Sequence, residues 1–282
     1  MAGGMFLFSA VDTMAKFLTD GLHPFQIVWI RQLGLVAGLI IILGFRGFSI
    51  LRTNALGLQV IRGVVAAGSA ALFIYGVSYV PLADAVAVTF IAPFIVTLMG
   101  ALILKEPVGF RRWTAVIIGF LATLIVIRPG LGVVHPAVFL VMAAAALFSA
   151  RQIISRALAS SDRTATTIAY TALVSIAILT IPLPFVWQAP TGFEIKLLAA
   201  MAVIAAIAET LVIKALELAE AVIVAPLHYT IIIWSTFYGW LIFADLPDFW
   251  TVVGAAIIIA TGIYTLNRER IVARRRKLNL SD

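Results

Sequence analysis

The sequence contains no cysteine, which excludes disulfides, thiolate metal sites and cysteine nucleophiles. Charge is nearly as scarce: Asp, Glu, Lys and Arg make up 12% of 282 residues, against about 25% in soluble chains. Histidine occurs three times, scattered, so neither a His cluster for a metal nor an enzyme-type site is expected. No basic stretch precedes the first apolar residues, as a cleavable secretory signal would require. What fills the chain instead is 63% hydrophobic residues, with a mean hydropathy of +1.11. That composition excludes an ordinary soluble domain.

The 20 basic residues exceed the 13 acidic ones by seven, and four of that excess lie from Arg268 onward. A basic tail on an apolar chain points to a membrane surface before it points to nucleic acid. Residues 64–83, 85–104, 129–150, 164–193, 221–244 and 249–267 carry no charge. Residues 32–45 and 113–127 are shorter clean runs, and 1–18 and 195–218 are apolar with isolated charges. A bilayer core of about 30 Å takes about 20 apolar residues as a helix, and backbone in lipid must satisfy its own hydrogen bonds. Ten membrane-spanning helices are therefore expected, beginning at Phe6, Pro24, Leu56, Pro81, Arg112, Pro136, Thr164, Phe193, Ala221 and Pro247. The class is an all-α membrane protein.

Bases decide the orientation. With the N-terminus inside, fourteen of them fall at inner ends, among them Arg46, Arg52, Arg163 and the six of the tail. Only Lys16, Arg128 and Lys196 fall at outer ends. Both termini are expected in the cytoplasm, in a bacterial-type inner membrane.

The chain also repeats itself. Leu7-Phe8-Ser9-Ala10 recurs as Leu147-Phe148-Ser149-Ala150, and Lys16 then matches Arg156. At an offset one shorter, Thr97, Gly100, Leu102, Ile103 and Glu106 meet Thr236, Gly239, Leu241, Ile242 and Asp245. Half of ten is odd, so the second half enters the bilayer from the opposite side, the architecture of secondary transporters. The expected parts are 1–132, the first five-helix repeat; 133–267, its inverted copy; and 268–282, a basic cytoplasmic tail.

Pro81-Leu82-Ala83-Asp84-Ala85, Ala92-Pro93-Phe94, Lys105-Glu106-Pro107 and Arg128-Pro129-Gly130 resemble the EamA-type module of the drug/metabolite transporter superfamily. Ala225-Pro226-Leu227-His228-Tyr229 and Phe243-Ala244-Asp245-Leu246-Pro247 fit its second copy, with Asp245 where a Glu is more usual. Within that superfamily the chain looks most like the YddG-type amino-acid exporters. The resemblance implies alternating access, a cavity between helices 1–4 and 6–9, peripheral helices 5 and 10, and export of small metabolites.

Ionisable groups at membrane depth cost about 2.5–3.5 kcal/mol each at the centre, so each needs a reason. Asp12 and Lys16, one turn apart on helix 1, either pair with each other or receive a substrate's amino or carboxyl group. Arg31 either holds a carboxylate bidentately or bridges to Asp12 or Asp84. Arg62 is expected to snorkel, and Asp84 to serve the start of helix 4. Glu209 has no partner on its own helix face and is the candidate for proton coupling, with an interhelical salt bridge as the alternative. His228 and Tyr229 follow Pro226, which opens the helix ladder beside them. Trp29, Tyr75, Tyr79, Trp234 and Tyr238 would give the cavity an aromatic wall, and Pro93 joins the same set.

The expected function is a transporter exporting aromatic amino acids, Met, Thr or similar metabolites. The alternatives are a carrier of a nucleoside, sugar phosphate or drug, and a non-transporting sensor or scaffold. The expected partners are a small-molecule substrate and the lipid bilayer, with no nucleic acid, cofactor or metal. The expected unit is a monomer, with a homodimer as the alternative.

Overall fold

The computed structural model describes residues 1–103, 110–127, 135–158, 161–218 and 227–278, and these are helical with no strand. The sequence motifs at 104–109, 128–134 and 219–226, together with the ninth helix start at Ala221, lie outside the described residues. The helices are α1 (Ala2–Leu18), α2 (Pro24–Arg46), α3 (Leu56–Val77), α4 (Leu82–Thr89), α5 (Ala92–Leu102) and α6 (Phe110–Ile127). They continue as α7 (Val138–Leu158), α8 (Thr164–Thr180), α9 (Leu183–Val186), α10 (Gly192–Leu218), α11 (Ile231–Phe243) and α12 (Phe249–Leu278). A 3₁₀ turn, Phe48–Leu51, follows α2.

Punctuation sets the boundaries. His23 Nδ1 accepts the Phe25 N–H at 3.3 Å ahead of Pro24, whose missing N–H costs a first turn nothing. Gly47, at φ +69°, ends α2 in a conformation that glycine adopts without strain. The fourth expected span is not continuous. Pro93 has no N–H to offer the Thr89 carbonyl, so the ladder breaks there and α4 gives way to α5. Phe90 and Ile91 bridge the break with three-residue hydrogen bonds of 3.2 Å to Ala87 and Val88. The last helix, α12, runs on through the first residues of the expected basic tail as far as Leu278.

Among the described residues, five helical stretches are long and apolar enough to cross a bilayer: Pro24–Ile41, Leu56–Val77, Leu82–Leu102 (α4 with α5), Val138–Ser155 and Gly192–Val212. Trp113–Val126, Ala165–Thr180, Ile231–Phe243 and Phe249–Tyr264 are shorter apolar helices. α1 is apolar but carries Asp12 and Lys16.

The packing maps onto itself when the two halves are exchanged. α3 lies on α7 and α8, and α10 correspondingly lies on α1 and α2; α4 and α5 lie on α7, as α11 lies on α1. α6 packs on α12, and α2 on α8. Two close approaches carry this to single residues. A Cβ on Gly63 would stand 2.5 Å from Val174 Cβ, and one on Gly34 would collide with the Ala202 carbonyl. Gly63 and Ala202 are 139 positions apart, and Gly34 and Val174 are 140 apart, the two offsets of the sequence repeat. The repeated Leu-Phe-Ser-Ala segments behave alike as well. Ser9 pairs with Ser235 on α11 at 3.1 Å, and Ser149 donates to the Ala92 carbonyl on α5 at 3.1 Å. Both serines are fully buried, each tying one half to the other.

Candidate functional site: a charged interior beneath a lysine latch

The helix ends gather into two groups. At the termini end, Asp162 accepts from Thr53 Oγ1, from Gln59 Nε2 at 2.7 Å and from the Asn54 N–H at 3.3 Å. These donors stabilise the ionised carboxyl and hold it below its ordinary value. At the opposite end, Gln26 and Gln188 exchange two hydrogen bonds, of 2.8 and 2.9 Å.

Lys16 closes that opposite end. Its Nζ donates to Asp245 Oδ2 at 3.2 Å and to the Val80 carbonyl at 3.2 Å, and it sits 4.8 Å from the Phe243 ring centre. Three chain segments thus meet on one ammonium: α1, the α3–α4 turn and the α11–α12 turn. Asp245 reaches it because Ala244 adopts φ +57°, a left-handed conformation costing an L-residue about 1–2 kcal/mol. The Ala244 N–H bonds the Trp240 carbonyl at 3.1 Å and the Asp245 N–H bonds that of Gly239 at 3.1 Å, which holds the turn. Lys16 therefore pairs with Asp245 and not with Asp12, its neighbour on α1.

Below this latch, five charges from five helices act on one another. Arg31 (α2) feels Asp12 (α1) and Glu209 (α10), Arg151 (α7) feels Glu209 and Arg31, and Arg62 (α3) feels Arg151 and Glu209. Arg62 does not snorkel. It turns inward and donates to Ser155 Oγ at 2.7 Å, to Thr171 Oγ1 and to the Thr167 carbonyl at 3.4 Å. The other four are held differently. Among the described residues, the only salt bridge within 4.0 Å is Lys16–Asp245, and the side chains of Asp12, Arg31, Arg151 and Glu209 make no protein hydrogen bond. Asp12, Arg31 and Arg151 are surrounded by protein yet keep some accessible surface, and Glu209 is likewise half-buried. A charge left desolvated and unpaired in such a place would cost several kcal/mol.

The expected aromatic wall divides in two. Trp234 and Tyr238 (α11) pack on Phe6 (α1) with ring centres 5.0 and 5.6 Å apart, and the Trp234 indole N–H is buried without an acceptor. Trp29 is committed to Thr180 Oγ1 at 2.8 Å. Tyr75 and Tyr79 lie elsewhere: Tyr79 stacks on His135 at 5.0 Å, and both tyrosines border a cavity of about 200 Å³ at the latch end with Asp20, His23 and Gln188. Burial there holds the His23 imidazole below its ordinary pKa. Tyr229 leaves the expected wall and joins the apolar core, edge-on to Phe90 and against Gly262. His228 is exposed at the start of the ninth span, and the side chain of Pro93 lies outside the described residues. Sequence reading missed Asp245 as the lysine's partner and Arg151 as an interior charge. Proximity between helices far apart in the chain was the only signal for either.

Residues 1–128 match the model of the EamA-like transporter family. The chain is 25% identical over 263 residues to an S-adenosylmethionine uptake transporter of Rickettsia felis, covering 93% of this chain and 89% of that protein. It is 29% identical to a riboflavin transporter of Vibrio cholerae, over 80% and 77% of the two chains. It is 26% identical to the pseudopaline exporter CntI of Pseudomonas aeruginosa, over 92% and 91%. A solved crystal structure superimposes with a TM-score of 0.61 at 17% identity, covering 94% of this chain and 97% of the other, which establishes the fold alone. These are likenesses: the family's pattern runs over the first 128 residues, and relatives named as transporters align over most of the chain. The relatives are named as transporters rather than enzymes, and none of these three is named as an amino-acid exporter.

Proposed function

We propose that this protein is a secondary transporter of a small metabolite bearing an amino-acid group, working by alternating access between two inverted five-helix halves. The observation that carries this reading is the set of opposite charges held apart inside the bundle. Asp12 and Glu209 can take a cationic group and Arg31 a carboxylate, and in this conformation none of their side chains makes a hydrogen bond or close salt bridge to the protein. The exchange symmetry of the packing supports the two-halves reading. The surplus of bases at the termini end supports placing both termini in the cytoplasm, with the Lys16 latch outside. Lys16 then closes the outer side, and release of its ties from Asp245 and Val80 opens it. A carrier with no coupled ion moves its solute down whichever gradient exists, so one mechanism serves import or export. Glu209 is the coupling candidate, and Glu209→Gln should abolish any dependence on a pH gradient.

Flux of labelled aromatic amino acids, Met, Thr, S-adenosylmethionine and riboflavin into proteoliposomes tests the reading. The expected result is flux of at least one amino-acid-bearing solute above empty liposomes; none for any of them overturns it. Riboflavin flux alone would favour a second reading, a carrier of planar aromatic solutes. The unsatisfied indole N–H of Trp234 beside Phe6 and Tyr238 speaks for that one.

A further inference from the structure

The charges of the interior do not balance. Three guanidinium groups (Arg31, Arg62, Arg151) face two carboxylates (Asp12, Glu209) in the set that interacts. Arg62 spends its donors on Ser155, Thr171 and Thr167. Arg31 and Arg151 donate no side-chain hydrogen bond to the protein and act on each other as like charges. Arg151 is the more exacting case. Its guanidinium rests 4.7 Å from the Phe148 ring centre, and its Nε is buried with no acceptor. A stacked guanidinium has a fixed plane, so its remaining N–H groups point in fixed directions. Helical rise puts Arg31 about 10 Å and Arg151 about 20 Å below the latch end. Two cations at different depths, neither hydrogen-bonded by its side chain to the protein and one held on a ring, complement a ligand with two anionic groups.

We propose that the transported metabolite carries two anionic groups and one cationic group, as an acidic amino acid or a derivative does, and that Arg151 selects the second anionic group. This rests on the amino-acid reading above and narrows it. Arg31 takes the α-carboxylate, Asp12 or Glu209 takes the ammonium, and Arg151 takes the distal acid. The ligand's net charge of −1 then cancels the surplus of the five side chains. A neutral amino acid meets the same α-group partners but leaves Arg151 unmatched.

Purified full-length protein is titrated with pairs differing only at the distal group: L-glutamate against L-glutamine, and L-2-aminoadipate against its 6-amide. L-methionine serves as a neutral reference, and thermal stabilisation is the readout. For the wild type, the acid should be effective at about tenfold lower concentration than its amide, the range of one charge-assisted hydrogen-bonded contact. Arg151→Gln should bring acid and amide within about twofold, and Arg151→Lys should retain most of the preference. Equal response to acid and amide in the wild type overturns the proposal, whether or not the variants fold. In that event stabilisation by methionine or the amides leaves the amino-acid reading standing. Silence toward every compound overturns this proposal and leaves the amino-acid reading to the flux measurement.

Discussion

Lys16 is the single group through which three segments close the end opposite the termini, so its removal has a calculable consequence. The Asp245 carboxylate is 40% exposed, so solvent screens the ion pair and limits it to about 0.5–1 kcal/mol. The Val80 carbonyl contact is a hydrogen bond to a charged group, worth about 1.5–3 kcal/mol, on a side chain only 13% exposed. Lys16→Met loses both and should destabilise the closed form by about 2–4 kcal/mol, shifting the open–closed equilibrium by about 30- to 900-fold. Asp245→Asn loses only the screened pair and should shift it by about two- to fivefold. The absence of cysteine makes the measurement clean. Thr13, buried one turn below Lys16, can be replaced by the chain's only cysteine, and its reaction rate with an impermeant thiol reagent reports opening. The expected order is Lys16→Met well above Asp245→Asn, and Asp245→Asn above the parent. The double variant should match Lys16→Met, since without the lysine the carboxylate has no tie left to lose. Equal rates for the parent and Lys16→Met would refute the latch. Asp245→Asn reacting as fast as Lys16→Met would refute the dominance of the Val80 contact.

Other consequences are simpler to state. Gly34→Ala should lower the melting temperature more than Gly63→Ala, because its Cβ meets the Ala202 backbone whereas that of Gly63 meets the Val174 side chain; overpacking costs about 1–3 kcal/mol. Ser9→Ala or Ser235→Ala alone should destabilise by about 1 kcal/mol, and the pair together by no more than either, since the double change leaves no orphaned hydroxyl. The Asp162 carboxyl has a folded pKa below its unfolded value of about 4, so its contribution is complete above pH 4 and lost as pH falls through the folded value. Asp162→Asn should therefore melt below the wild type at neutral pH and converge with it in acid; a constant difference between pH 3 and 7 would exclude the donors from Thr53, Gln59 and Asn54 as the cause.

Scarcity of charge and the absence of cysteine determined the class of this protein before any contact was known. Hydrophobic runs define helices in lipid because backbone there has no other partner, and that rule reads directly off the chain. The starts at Pro24, Leu56 and Thr164 were legible for this reason. Some local detail was written in the chain but passed over: Pro93 divides the fourth span by withholding one N–H. The partners of the charges were not legible. Asp12 lies four residues from Lys16 on the same helix, yet the lysine crosses to Asp245, more than two hundred residues away, because a left-handed Ala244 turns that carboxylate toward it. Arg62 and Arg151 are alike as residues and as isolated charges; only the neighbours packed around them give one its acceptors and leave the other without. Hydropathy is additive along a chain and so belongs to the sequence, whereas pairing depends on which side chains reach within about 4 Å, and that is decided by how the helices pack.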